Sequence, residues 1–194
     1  IFYYICVITY SMQNQLNDGK SLLLRSITNY YNSNRNYLNI FIDILNGNSK
    51  ISLRLIDWLV THYSKSNNIQ YWIDTKSNII YKKIPSNYDN AYKLKKFNLY
   101  SDYRAQLKSF SKKYFDPFRR HERISYIINE NLTIETTLGQ LNFFKWFFKH
   151  NIYYFVVNNH HDITNDMSSN SKKKSYKKKN IETIKKEKNI IRFD

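Results

Sequence analysis

The sequence predicts a single α+β domain, mostly helical with small β-hairpins, followed by a basic tail. Three observations carry that reading. Apolar residues recur at helical spacing in several segments, two pairs of short β-branched and aromatic runs are separated by turn residues, and the composition changes abruptly after Met167. At 194 residues and 42% hydrophobic, the chain is long enough for one ordinary domain with a core and too short for two. The expected boundaries are an extension over 1–19 outside the fold, a globular domain over 20–168 and a lysine-rich, disordered tail over 169–194.

The first eleven residues, "IFYYICVITYS", form an apolar run that ends before Met12. It has neither a basic segment before it nor a small-residue cleavage site after it, and it is too short to span a bilayer. The expectation is that translation starts at Met12, the alternative being a terminal strand. No other segment approaches a membrane span, so a soluble protein without a membrane partner is expected. Cys6 is the sole cysteine, which excludes an intrachain disulfide and suits a reducing compartment.

Leu22 to Tyr31 and Tyr37 to Leu45 read as two short helices, the second with Leu38, Phe41, Ile42 and Leu45 on one face. "NGNS" at 46–49 offers a glycine past the helix end and Ser49 as a cap for the next helix. That helix, "KISLRLIDWLVTHYSK", places Ile51, Leu55, Trp58 and Leu59 on its inner face and Arg54 and Asp57 outside. "IQYWI" and "NIIYKKI", joined by "DTKSN", predict a hairpin.

A helix from about Tyr100 to Tyr114 carries the apolar stripe Tyr103, Leu107, Phe110 and Tyr114. Arg104, Lys108 and Lys112 lie at i, i+4 and i+8, about 130° from that stripe at ~100° per residue, and so form a basic ridge. Pro117 ends the helix, making "FDPF" a turn with Asp116 placed to cap the segment after it. "RISYII" and "LTIET" read as a second hairpin. Thr137 and Gln140 form a T-x-x-Q capping box for "LGQLNFFKWFFKH", which is apolar nearly all round and so belongs in the core. "NIYYFVV" fits helix or strand. Nine lysines between 172 and 188, with few large apolar residues, leave the tail without material for a core.

Catalytic chemistry finds little support. Glycines at 19, 47 and 139 cannot form a phosphate-binding loop, and no Gly-framed serine is present. His160, His161 and Asp162 adjoin one another, but neighbouring helical histidines point ~100° apart and no H-x-H or H-x-x-x-H pair exists. Asp162 and Asp166, at i and i+4, read as a solvated helix face. No enzyme activity, metal or cofactor is expected.

The net charge of +16 favours polyanionic partners. Part of that charge reflects an Asn-, Lys-, Ile- and Tyr-rich composition with A/T-rich codons, so clustering is more informative than the total. Arg104, Lys108, Lys112, Lys113, Arg119, Arg120 and Arg123 converge if the Pro117 turn folds the chain back, with Tyr114, Phe115 and Phe118 beside them for packing or base stacking. Lys172, Lys173, Lys174, Lys177, Lys178 and Lys179 add a second cluster that equally resembles a nuclear-import signal. These thirteen residues are the candidate nucleic-acid contacts. The competing reading is that the turn arginines tie a loop to carboxylates such as Asp116 and Glu122.

"ILNGNSKISLRLIDWLVTHYSK", "YRAQLKSFSKKYFDPFRRHERI" and "ETTLGQLNFFKWFFKHNIYYFV" together resemble a family of largely uncharacterised proteins of the nucleocytoplasmic large DNA viruses, found in chloroviruses, mimivirus relatives and iridoviruses. The likeness spans about residues 38 to 167. Two positions depart from the family pattern. A cysteine follows "FDPF" where this chain has Arg119, and an arginine stands at His121, so the resemblance implies no thiol-dependent role here. It implies a viral protein of the factory, of late gene expression or of the virion core, in the host cytoplasm or the virion, with the nucleus open through the lysine tail. The expected partner is nucleic acid, DNA by the viral resemblance, with viral proteins also open. The rival expectation is a structural or interaction component of the virion whose basic turn serves internal ion pairing.

Overall fold

A computed structural model describes residues 18–77, 79–84, 86, 93–130 and 132–170. The apolar leader with Cys6 and the start at Met12, and the tail cluster Lys172, Lys173, Lys174, Lys177, Lys178 and Lys179, lie outside the described residues. The α+β, predominantly helical reading holds, with two small antiparallel sheets among the helices.

Helices α1 (Asp18–Ser33) and α2 (Arg35–Asn46) are the first two expected elements. Gly47 ends α2 in the left-handed region, with φ +76°, as a glycine just past a helix end does at low steric cost. The next cap is Ser52, not Ser49: Ser52 Oγ accepts the Leu55 N–H, whereas Ser49 Oγ accepts the Ile51 N–H within the turn. The helix itself has a break that the periodicity does not show. α3 (Leu53–Trp58) widens into a π turn (Leu59–Tyr63) before α4 (Ser64–Ser66).

Two side chains in the turn just before this break differ from expectation. Trp58 is half-buried rather than inside, stacks on His62 at 4.3 Å and donates from Nε1 to Asp166 Oδ2 at 2.8 Å. Asp57 is half-buried rather than outward, and burial raises its carboxyl above the usual range.

Strands β1 (Gln70–Asp74), β2 (Ile80–Tyr81) and β3 (Leu94–Asn98) form a sheet in the order β2-β1-β3. The β1–β2 hairpin is the expected one; β3, on the other edge of β1, is additional. It leads directly into α5 (Leu99–Tyr114), whose Asn98 cap accepts the Ser101 N–H at 2.9 Å. β4 (Arg123–Asn129) and β5 (Leu132–Thr137) make the second hairpin, with a register shift between Ile127 and Asn129.

Helix α6 (Leu138–Lys149) is the centre of the molecule. Phe143, Phe144, Phe147 and Phe148 have no exposed surface, which fits a helix apolar on every side. α2 and the residue just past α5 supply matching aromatics: Phe41 sits 4.8 Å from Phe144, Tyr37 stacks on Phe148 at 4.8 Å, and Phe115 is 5.1 Å from Phe143. Most buried polar groups among the described residues are hydrogen-bonded, the Tyr30 hydroxyl being an exception. Tyr31 donates to the Leu141 carbonyl and Tyr71 to the His150 carbonyl. The ambiguous "NIYYFVV" is helical, α7 (Ile152–Asn158), and residues 160–170 form α8.

Candidate nucleic-acid interface

The candidate surface is built on α5 and the turn at its C-terminal end. α5 buries Leu99 and Tyr103, with Leu107, Phe110 and Tyr114 half-buried along the same side. Asp102 fixes its orientation by accepting from Trp146 Nε1 at 2.6 Å. The outer side carries Arg104, Lys108, Lys112 and Lys113, all exposed, and none is ion-paired with a described residue. Arg104, Lys108 and Lys112 line one open depression together with Ala105 and Leu107. The ridge is not one straight helix face. Ser111, at φ 57° and ψ 170°, interrupts the helical backbone between Lys108 and Lys112, so the i+8 relation is reached across a kink.

The turn cations are held differently. Asp116 is only 3% exposed, and its carboxylate accepts the Phe118 N–H at 2.9 Å and a two-pronged contact from Arg120 at 2.8 and 2.9 Å. It therefore organises a turn and an ion pair; it has no helix to cap, because the chain enters β4. The hydrogen bond to Asp116 raises the affinity of the Arg120 guanidinium for its proton, and Arg120 also lies 4.9 Å over the Phe118 ring. Arg119 donates to the Glu135 carbonyl at 3.1 Å, and Arg123 pairs with the Glu135 carboxylate at 2.5 Å. Glu122 pairs with Lys20 of α1 at 3.1 Å.

The seven domain cations thus fall into two groups. Arg119, Arg120 and Arg123 stitch the turn to itself and to the β4–β5 hairpin. Arg104, Lys108, Lys112 and Lys113 face solvent. Of the aromatics, Phe115 is core, 1% exposed, while Tyr114 and Phe118 are half-buried.

A feature that the motifs do not reveal holds the turn in place. The first turn of α6 meets the end of α5 backbone to backbone: the Asp116 N–H donates to the Gly139 carbonyl at 3.2 Å, Gln140 Nε2 to the Pro117 carbonyl at 2.7 Å, and Asn142 Nδ2 to the Tyr114 carbonyl at 2.9 Å. A β-carbon at Gly139 would lie 2.8 Å from the Lys113 carbonyl oxygen. The capping box is accordingly only half formed. Thr137 Oγ1 accepts the Gln140 N–H, but the Gln140 side chain turns inward to Pro117 and Thr136 instead of back to the cap. The T-x-x-Q spacing is readable in the sequence; the competing partner, 23 residues away, is not.

His121 lies in the basic turn itself and lines a small depression with Lys113 and Glu122, whereas His160 and His161 are held by other partners. His160 contacts the Lys50 carbonyl and His161 contacts Asn165. Among the described residues no group of three His, Cys, Asp or Glu side chains is placed to hold a metal ion. No helix among them is long and apolar enough to cross a membrane.

Comparison with known proteins agrees with the three-block resemblance. No solved structure matches the chain. A relative in Acanthamoeba polyphaga mimivirus, an uncharacterised protein, is 32% identical over 128 residues, covering 63% of this chain and 44% of that protein. The match thus spans less than half the relative's length. Residues 9–193 match a family described as being of unknown function, DUF7197, and the chain belongs to that family.

Proposed function

We propose that this is a non-enzymatic, nucleic-acid-associated viral protein that binds phosphate backbone without sequence readout, in the viral factory or the virion. Arg104, Lys108, Lys112 and Lys113 supply the domain's contacts and the lysine tail adds affinity. One observation carries the reading: the fold pairs or hydrogen-bonds the cations of the turn internally, yet leaves those of α5 exposed around one depression without an ion pair to any described residue. Exposed cations held by no direct ion pair can exchange counterions for phosphates, the main source of sequence-independent affinity, although Lys112 does so against the pull of the nearby Asp57 carboxylate.

The test is a duplex-DNA titration over a salt series with the full chain. Replacing Arg104, Lys108, Lys112 and Lys113 together by Gln is expected to weaken binding and flatten the log-log salt dependence by up to ~0.9 per lost phosphate contact, with little change in thermal stability. Unchanged affinity and slope would remove the ridge from the interface. The structural or protein-interaction reading, which the Asp116–Arg120 pair supports for the turn, would then extend to the whole domain.

A further inference from the structure

The first sheet has a second face that the ridge does not use. Tyr71, Ile73 and Phe97 point into the core, so the alternate residues point away from it. On that outer face Trp72 stands in register with Tyr81 on one side and Lys96 on the other. With strands ~4.8 Å apart, the three form one row across the sheet about 10 Å long. Trp72 and Tyr81 are half-buried, Lys96 Nζ lies 6.0 Å from the centre of the Trp72 ring, and Ile79 at the edge is 51% exposed.

From this geometry we propose that the Trp72 row on the outer face of the β2-β1-β3 sheet, next to the covered Asp74–Leu94 pair, is a stacking platform for single-stranded nucleic acid, with Trp72 and Tyr81 receiving bases and Lys96 a phosphate. The proposal rests on the nucleic-acid reading above and assigns a strand type and a second site to it. Charge singles out the occupant. Lys76, Lys82, Lys83 and Lys96 are exposed on or beside the sheet, whereas the single acid in its three strands, Asp74, is 8% exposed and its Oδ1 already accepts the N–H groups of Lys76 and Ser77. Neighbouring aromatic rings set among unbalanced lysines match the two needs of an unpaired strand, a surface for each base and a cation for its backbone. A duplex hides its base faces and gains nothing from the rings.

The experiment uses the full chain and compares a labelled oligothymidylate of about 12 nucleotides, within the ~4–16 that one small sheet domain covers, with a hairpin duplex of equal charge. Trp72→Leu is expected to weaken the single strand about 5- to 100-fold, the loss that accompanies removal of one stacked base, and to change the duplex less than about 2-fold. Trp72→Phe should restore most of the affinity. Tyr81→Leu and Lys96→Gln should each reduce single-strand binding alone, and they test the platform even if Trp72→Leu does not fold. Equal losses on both probes, or none on the single strand, would overturn the platform. So would loss of binding to phosphatidylserine vesicles with oligothymidylate binding intact, which would make the face a membrane contact. Because the ridge variant is read on the duplex and the Trp72 variant on the preference for the single strand, either site can fail while the other stands.

Discussion

Gly139→Ala probes the junction on which the basic turn depends. In an isolated helix the change gains about 1 kcal/mol, because alanine is the better helix former. Here the new methyl group would lie 2.8 Å from the Lys113 oxygen, 3.2 Å from the Phe115 nitrogen and 3.3 Å from the Tyr114 carbonyl carbon. All three are backbone atoms, and none can swing aside as a side-chain tip would. The chain at 113–117 must retreat, and the bonds of Asp116 to Gly139, Asn142 to Tyr114 and Gln140 to Pro117 stretch with it. Overpacking of this kind costs about 1–3 kcal/mol, and each weakened hydrogen bond up to about 1 kcal/mol more. After the gain in helix propensity is subtracted, the expected net destabilisation is about 2–4 kcal/mol. Urea denaturation monitored by far-ultraviolet circular dichroism measures it. Gly19→Ala serves as the control, since a β-carbon there meets nothing within 4 Å, and it should be neutral or mildly stabilising. If Gly139→Ala proves as stable as the parent, the close approach is not what fixes the turn.

The two groups of cations and the buried imidazole are open to equally direct tests. Arg120→Met, which leaves the Asp116 carboxylate buried without its partner, should cost about 2 kcal/mol in urea melts, below the ~3–5 of a fully buried pair because Arg120 is itself exposed; Lys108→Met on α5 should stay within about 0.5 kcal/mol, and equal costs would contradict the division of the cations into two groups. His150, half-buried and stacked on Phe97, has its proton affinity lowered by burial from the ordinary 6.5 to about 4, against the opposing pull of Asp102 and with Lys95 and Lys149 nearby. The unfolded chain therefore takes up this proton first, and the stability that the neutral ring provides is present above pH 6.5 and lost as the pH falls towards 4. In His150→Phe the decline of unfolding free energy between about pH 6.5 and 4.5 should be shallower than in the parent, and an identical decline would show that the imidazole titrates normally.

The helices are legible where one face alone is apolar, as in α2, and where every face is, as in α6. Other elements depend on distant partners. In β3, Leu94 and Phe97 are separated by two lysines, a spacing that breaks strand alternation; the segment is extended because all five residues pair with β1. The π turn leaves no mark in the apolar pattern, since Leu59 and Val60 are buried whichever register the helix takes. Just before it, the periodicity misplaces Trp58 although it locates the helix, because the indole is held at a half-buried site by Asp166, a partner more than a hundred residues away that no local spacing shows.

For the candidate surface the same contrast has a sharper consequence. Arg104 and Lys108 are readable as outward because their positions derive from helix geometry alone. Whether Arg120 binds outward or inward depends on Asp116, and the burial of Asp116 depends on Gly139 lying against the end of α5 more than twenty residues later in the chain. The blocks "YRAQLKSFSKKYFDPFRRHERI" and "ETTLGQLNFFKWFFKHNIYYFV" are the two halves of that one junction. Each demands particular residues for folding: a carboxylate at 116 to gather the turn, a glycine at 139 for close approach, and amides at 140 and 142 to donate to the backbone carbonyls of Pro117 and Tyr114. Likeness to relatives within these blocks therefore has a sufficient cause in folding and says little about a ligand. Arg104, Lys108, Lys112 and Lys113, with Trp72 and Lys96 on the sheet, make none of the hydrogen bonds that close this junction; their described interactions are the Lys96–Trp72 and Lys113–Tyr114 approaches and the electrostatic influence of Lys112 on Asp57 and of Arg104 on Tyr103. Substitutions at those positions separate binding from folding most cleanly.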